Sequence, residues 1–316
     1  MEVSIVVPVF NEALSLPILQ EKITLAMEDF GREWEVIYVD DGSSDESYKV
    51  LEQLAAIDTK HIRVLSFRRN FGQTTAIAAG IDHSLGNVIV MIDADLQNDP
   101  GDIPLLLNKL DEGYDLVSGW RKSRQDTFIT RTLPSKIANG LISYVTGVKL
   151  HDYGCSLKAY RREVLTGFRL YGEMHRFIPA YASSVGAKII EIPVRHHPRK
   201  FGKANYGLER TLKVTLDLFT VKYLISYSQK PIYIFGSVGV GLIAISILDV
   251  FYLVLRRLIV GEHMIRSPLL QMGTTLFVMG FNSILLGLIA EQLTRTYHEA
   301  QSKPTYTLLK KLNFPD

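Results

Sequence analysis

Two long apolar runs toward the carboxyl end limit what this chain can fold into. From about Ile232 to Leu255, and again from Leu269 to Ala290, nearly every residue is apolar. Each run is about 22 to 24 residues, enough as helix to cross a hydrocarbon core of roughly 30 Å. A pair of buried helices in a soluble protein would need an unusually large core, so two membrane spans are expected, with both flanks on one side. Lys213, Lys222 and Lys230 precede the first run, and Arg295, Lys303, Lys310 and Lys311 follow the second. The intervening loop still carries Arg256, Arg257 and Arg266, so the positive-inside bias is real but thin. Glu2 and the immediate β-pattern Val3 to Val9 show no charged n-region, apolar h-region or cleavage site. No signal peptide is expected, and the N-terminal part is expected on the cytoplasmic side of a plasma or inner membrane.

The first part of the chain alternates two periodicities. Val3 to Val9, Glu35 to Val39, Ile62 to Phe67, Val88 to Ile92 and Asp115 to Ser118 read as short buried strands, with Lys188 to Val194 a later one. Ala13 to Phe30, Asp45 to Ile57 and Thr74 to Leu85 read as helices, the second capped by Ser43 and Ser44. This alternation predicts an α/β fold, a mostly parallel Rossmann-like sheet with helices on both faces. Leu208, Leu212, Leu216, Phe219 and Tyr223 then share one helical face just before the first span. That pattern suits a helix lying among lipid headgroups. The expected organisation is a catalytic domain over 1–206, an amphipathic juxtamembrane region over 207–230, two spans within 231–293, and a cytoplasmic tail over 294–316.

Composition removes some functions. A formal net charge of +2 over 316 residues lacks the basic face of a nucleic-acid binder. The single cysteine, Cys155, cannot form an intramolecular disulfide and fits a reducing compartment.

Polar signatures follow the predicted strands one after another. Pro8-Val9-Phe10-Asn11-Glu12 ends the first, Asp40-Asp41-Gly42-Ser43-Ser44-Asp45 the second, and Arg68-Arg69-Asn70-Phe71-Gly72 the third. Asp93-Ala94-Asp95-Leu96-Gln97 ends the fourth and Gly119-Trp120-Arg121 the fifth. All are expected along one edge of the sheet, where open α/β sheets bind ligands. Two carboxylates one residue apart can hold a hard divalent cation, and a cation at a strand end implies a polyphosphate. There is no G-x-G-x-x-G or G-x-x-x-x-G-K-[ST] phosphate cradle. A calcium loop is also excluded, because Asn98 stands where it needs Gly and Pro104 where it needs Glu.

In this order the motifs V-P-V-F-N-E, V-D-D-G-S-S-D, R-N-F-G-Q, D-A-D-L-Q and G-W-R resemble glycosyltransferase family 2, the inverting GT-A fold. The chain further resembles the polyprenyl-phosphate glycosyltransferases, namely bactoprenol glucosyltransferases and, more distantly, dolichol-phosphate mannose synthases. That narrower likeness rests on Asp152-Tyr153-Gly154-Cys155-Ser156-Leu157-Lys158, on His196 to Lys203 with Asn205-Tyr206-Gly207, and on the two spans.

The resemblance implies roles. Pro8, Glu12 and Asp41 would hold the nucleoside, and Asp93, Asp95 and Gln97 would coordinate Mg²⁺ or Mn²⁺ against the diphosphate. Arg121 and Arg131 would receive the lipid's phosphate, a task suited to the guanidinium fork. Arg199 and Lys203 would grip the diphosphate from a loop. Asp152 stands where a sugar-to-sugar transferase needs a general base. An ionised lipid phosphate needs none, so Asp152 would orient the arginines, polarise the sugar or cap a turn. His175, His196 and His197 have no metal-ligand spacing and read as loop or surface residues. Asp249, inside the first span, calls for a partner such as Asn282 or for its neighbours Arg256 and Arg257.

The expected activity is transfer of a sugar from a nucleotide sugar to undecaprenyl phosphate or a similar polyprenol. UDP-glucose is the first expectation; GDP-mannose, UDP-N-acetylglucosamine, UDP-galactose or an aminoarabinose derivative would use the same motifs. A processive polysaccharide synthase lacks its Q-x-x-R-W motif here, and two helices are few for a flippase component. A large head on two spans is compatible with a homo-oligomer.

Overall fold

Runs of Val and Ile form the strands. β1 (Val3–Val9), β2 (Trp34–Asp40) and β3 (Ile62–Phe67) are buried at nearly every position, as parallel strands covered on both faces must be. The computed structural model describes residues 1–122, 139–140, 142–143, 146–166, 174–198, 232–260, 267–300 and 306–314. β4 (Val88–Met91), β5 (Leu116–Trp120), β6 (Lys158–Arg161), β7 (Ile189–Pro193) and β8 (Leu308–Leu312) complete an eight-stranded sheet in the order β7-β5-β6-β4-β1-β2-β3-β8. β1 is parallel to β2 and β4, β2 to β3, and β5 to β7. β6 runs antiparallel between β4 and β5, so β1 to β5 and β7 all end at one edge.

Helices α1 (Leu16–Phe30), α2 (Ser47–Ile57), α3 (Gln73–His83) and α4 (Ile103–Asp111) connect the strands, followed by the short α5 (Arg162–Leu165) and α6 (Ile178–Ser184). α1 buries Leu16, Leu19, Ile23 and Met27 at helical spacing, each contributing roughly 1.5–3 kcal/mol. Ser43 and Ser44 do not cap α2. Glu46 takes the cap position without a side-chain bond, because both serines are hydrogen-bonded to Asn11 across the site.

The tail differs from expectation. Residues up to Ala300 continue a helix, and Leu308–Leu312 then pair antiparallel with β3. Tyr306 stacks on Phe67 at 5.3 Å and donates to Asp82 Oδ2 at 3.2 Å. Asn313 Nδ2 donates to the carbonyls of Ala55 and Ile62 at 2.8 and 2.9 Å. The outer edge of β3 offers unpaired backbone groups that a returning strand satisfies. No local sequence pattern announces a partner so far along the chain.

The contacts divide the chain into two units, Met1–Val221 with Pro304–Asp316, and Lys222–Lys303. The second contains α7 (Ile232–Val260) and α8 (Pro268–Ala300). Within them, Phe235–Ile259 and Pro268–Ala290 are long and apolar enough to cross a membrane, and only 17% of the most apolar stretch of each is buried. That exposure does not suit core helices of a soluble protein. The two helices approach closely at Gly239 and Gly280, where a Cβ on either would meet the other's carbonyl oxygen at 2.6 or 2.7 Å. Ser246 Oγ donates to Gly273 O at 2.7 Å and Ser283 Oγ to Phe235 O at 2.9 Å. Small residues and hydroxyl bridges are what hold helices together in lipid. Asp249 faces Gly273 of this seam, whereas Asn282 lies on the exposed surface. The suggested Asp249–Asn282 contact does not form.

Candidate active site

The loops after β1, β2 and β3 are stitched into one surface. Asn11 sits at φ +57°, and its Oδ1 accepts from Ser44 N at 2.8 Å and Asp45 N at 3.3 Å. Glu12 N donates to Ser47 Oγ at 2.8 Å. Gly42, at φ +67°, passes so near Arg69 that a Cβ would lie 2.5 Å from its carbonyl carbon; only glycine fits. Asp40 accepts from Ser43 N at 3.1 Å and Ser66 Oγ at 3.0 Å.

Asp41 is 3% exposed, and its two oxygens accept from Phe71 N at 2.6 Å and Gly72 N at 2.9 Å. Burial pushes its carboxyl above the usual value against the pull of these two bonds. The carboxylate thus fastens the third loop, and in doing so positions Gln73, whose Nε2 donates to Asp93 Oδ1 at 2.7 Å.

Asp93 and Asp95 stand together beyond β4. Burial, then the charge of Asp95, raises the Asp93 carboxyl above its ordinary value. A buried carboxylate raised by a neighbouring acid marks a place that a cation would favour. Asp95 Oδ1 accepts from Gln97 N at 3.1 Å. Among the described residues no group of three or more His, Cys, Asp or Glu gathers as a metal cluster. Carboxylate oxygens of this kind are the ligand type that Mg²⁺ and Mn²⁺ take.

Arg121, just past β5, forms a bidentate pair with Asp152. Nε to Oδ2 is 2.7 Å and Nη2 to Oδ1 is 2.9 Å, with the two side chains 14% and 2% exposed. Gly154 N at 3.2 Å and Arg121 N at 3.4 Å also donate to the same carboxylate. Glu191 on β7 accepts from Asp152 N at 2.9 Å and His151 N at 3.0 Å. Beneath the turn, the buried Lys158 ammonium donates to the carbonyls of Tyr153 and Cys155.

Of the sequence-derived residues, Pro8, Glu12, Asp41, Asp93, Asp95, Gln97, Arg121 and Asp152 lie at or just beyond the strand ends of this edge, whereas Arg131, Arg199 and Lys203 are outside the described residues, as is 207–230. His197 lies in a loop as expected, 42% exposed, and both it and His175 make specific contacts. His175 Nδ1 lies 2.7 Å from Thr74 Oγ1, and His197 N donates to Gln97 O at 2.8 Å. Gln73 and Lys158 stand in the quoted motifs without an expected role of their own, and Glu191 is singled out by none of them. Lys158 carried a signal, a lone cation flanked by apolar residues at the start of a buried strand.

Residues 4–168 match the family model described as glycosyl transferase family 2. The chain belongs to this family. Within this glycosyltransferase family, a dodecaprenyl-phosphate galacturonate synthase of Rhizobium johnstonii is 42% identical over 309 residues, 97% of this chain and 91% of its own. An undecaprenyl-phosphate 4-deoxy-4-formamido-L-arabinose transferase of an Enterobacter species is 39% identical over 307 residues, 96% and 92% of the two chains. By name, both are polyprenyl-phosphate glycosyltransferases. Among solved structures, the M. tuberculosis glucosyl-3-phosphoglycerate synthase superposes with a TM-score of 0.52 at 20% identity, over 71% of this chain and 80% of that one. A second structure of that enzyme, holding Mg²⁺ and uridine diphosphate, gives 0.51 at 19% identity over 71% and 79%. These likenesses show the GT-A fold.

Proposed function

We propose that this glycosyltransferase moves a sugar from a nucleoside diphosphate onto the phosphate of a polyprenyl phosphate at the cytoplasmic face of a membrane, with inversion at the anomeric carbon. The observation that carries the reading is the Arg121–Asp152 pair. Asp152, in the place of a general base, has both oxygens committed to Arg121. An acceptor that arrives already ionised suits such a site, and a lipid phosphate is one. The names and full-length similarity of the two relatives support the same acceptor class.

In this reading Pro8, Glu12 and the Asp41-fastened loop hold the nucleoside. Asp93, Asp95 and Gln97 hold the divalent cation, which when bound neutralises charge on the departing diphosphate. Arg121, held in plane by Asp152, orients the acceptor phosphate with Arg131, while Arg199 and Lys203 grip the diphosphate. A phosphate oxygen attacks the anomeric carbon, the bond to the diphosphate breaks, and no proton needs to be moved. In this reading α7 and α8 cross the bilayer as a pair, which suits the return of the chain to β8 beside β3.

For the donor, the motif resemblance favours UDP-glucose, whereas both relatives are named for modified sugars, galacturonate and a formamido-arabinose. We place a uridine-linked modified pyranose first and UDP-glucose second. The test is transfer of label from each of these donors to undecaprenyl phosphate by purified full-length protein, with Mn²⁺, Mg²⁺ or EDTA. A metal-dependent, organic-soluble product that Asp93→Ala and Asp95→Ala abolish is expected. No lipid product from any donor refutes the acceptor class, and undiminished transfer by both variants refutes the metal assignment.

A further inference from the structure

Leu96, between the two acids and Gln97, has a backbone that needs an explanation. Its φ is +60° and its side chain is 6% exposed. A non-glycine residue in the left-handed region costs about 1–3 kcal/mol and persists only where its surroundings over-determine it. Asp95 Oδ1 closes the turn from within by accepting from Gln97 N at 3.1 Å, and the outer surroundings come from a distant part of the chain, the segment that follows β7.

That segment docks antiparallel on the acidic loop through a bridge between Asn98 and His196, and His197 N donates to Gln97 O at 2.8 Å. Its side chains fasten the loop further along. Arg195 N and Nε reach the two oxygens of Asp102 at 2.6 and 2.8 Å. Arg195 Nη1 lies 3.3 Å from Asp99 Oδ2, which His197 Nε2 also approaches at 3.2 Å. On the opposite side Asn98 Nδ2 donates to Ser156 Oγ at 2.7 Å. Asp102 is only 3% exposed, so a loop that lost Arg195 would keep a buried carboxylate without its cation and would have to rearrange.

We propose that Arg195 and His197 are positioning residues for the donor-side cation. Clamped on Asp99 and Asp102, they hold Leu96 in the left-handed turn from which Asp95 and Gln97 present their oxygens together. The inference rests on the metal assignment in the proposed function, and adds that the cation's geometry is set by a second chain segment that contributes no ligand. Without the clamp Leu96 relaxes toward an ordinary backbone region, and the spacing between the two ligands is lost.

The test is Mn²⁺ binding to full-length detergent-solubilised protein with saturating uridine diphosphate, read by the electron paramagnetic resonance of free Mn²⁺. Partners one layer beyond a metal's ligands typically matter about 10–100-fold in affinity. Arg195 is 57% exposed, so Arg195→Ala is expected near the lower end, about tenfold weaker, with Arg195→Lys between it and the wild type. In turnover the requirement for Mn²⁺ should rise while the rate at saturating Mn²⁺ recovers, which general damage to the fold would not allow. His197→Ala keeps the Arg195–Asp102 pair and should weaken Mn²⁺ less; it carries the test if Arg195→Ala does not fold. Wild-type affinity in the folded variants, to within about twofold, overturns this inference alone. A wild-type protein that binds no Mn²⁺ overturns the metal assignment and the clamp with it.

Discussion

Replacing Asp152 with Asn separates a base from a positioning group. The substitution keeps the shape and one acceptor oxygen, removes the charge, and turns an amide N–H toward a guanidinium that already donates at 2.7 and 2.9 Å. The pair is nearly buried, with side chains 14% and 2% exposed. Removing one member of such a pair costs about 3–5 kcal/mol, and the retained oxygen argues for the lower figure, about 3 kcal/mol. In a domain of this size each kcal/mol moves the midpoint by about 2–4 °C, so a fall of about 6–12 °C is expected. Steady-state assays should show a raised KM for polyprenyl phosphate and a pH profile of kcat with unchanged shape, since no base has been removed. A variant that melts within about 2 °C of wild type, keeps its acceptor KM and loses the acidic limb of the pH profile would refute the reasoning. Asp152 would then be the base.

Other consequences can be checked more simply. Gly239→Leu drives a side chain into the carbonyl of Gly280, 2.6 Å from the first added carbon; it should cost about 1–3 kcal/mol and lower the melting of the α7–α8 hairpin, with Gly239→Ala milder. Burial pushes the Cys155 thiol up to about 11, so iodoacetamide near pH 8 should leave native protein unlabelled and modify one site after unfolding; rapid native labelling would contradict the burial. Burial also holds His83 below its ordinary value of 6.5, and its Nδ1 lies 3.4 Å from Tyr306 Oη. A depressed histidine contributes fully above its unfolded value and loses that contribution as pH falls through the folded one. Intrinsically corrected amide exchange in β8 should therefore rise as pH falls below about 6.5, and His83→Gln should flatten that rise.

The fold was legible where chemistry is local. Val- and Ile-rich runs such as Ile62 to Phe67 gave strands, helical spacing gave α1, and the five polar strand ends announced a shared edge. What escaped depends on residues far apart in the chain. Glu191 acquires meaning only beside Asp152, and His197 only against Gln97. The left-handed turn at Leu96 has no composition signal, because leucine does not favour it and one of its fasteners, the segment after β7, lies far along the chain. Ser43 and Ser44 looked like helix caps by position, and Asn11, which redirects them, lies on another strand end.

β8 gives the protein a sense of order in time. A chain is made from its amino end, so β3 emerges with its outer edge unpaired and remains so until both helices of the hairpin have followed. The strand that covers it, with Tyr306 and Asn313 as its fasteners, can arrive only if the hairpin has turned back to the side on which it began. A chain whose second helix fails to return is left displaying a raw strand edge, the surface on which misassembly starts and by which faulty chains are recognised. Under the proposed membrane reading, completion of the sheet would report that both helices of the hairpin have been threaded.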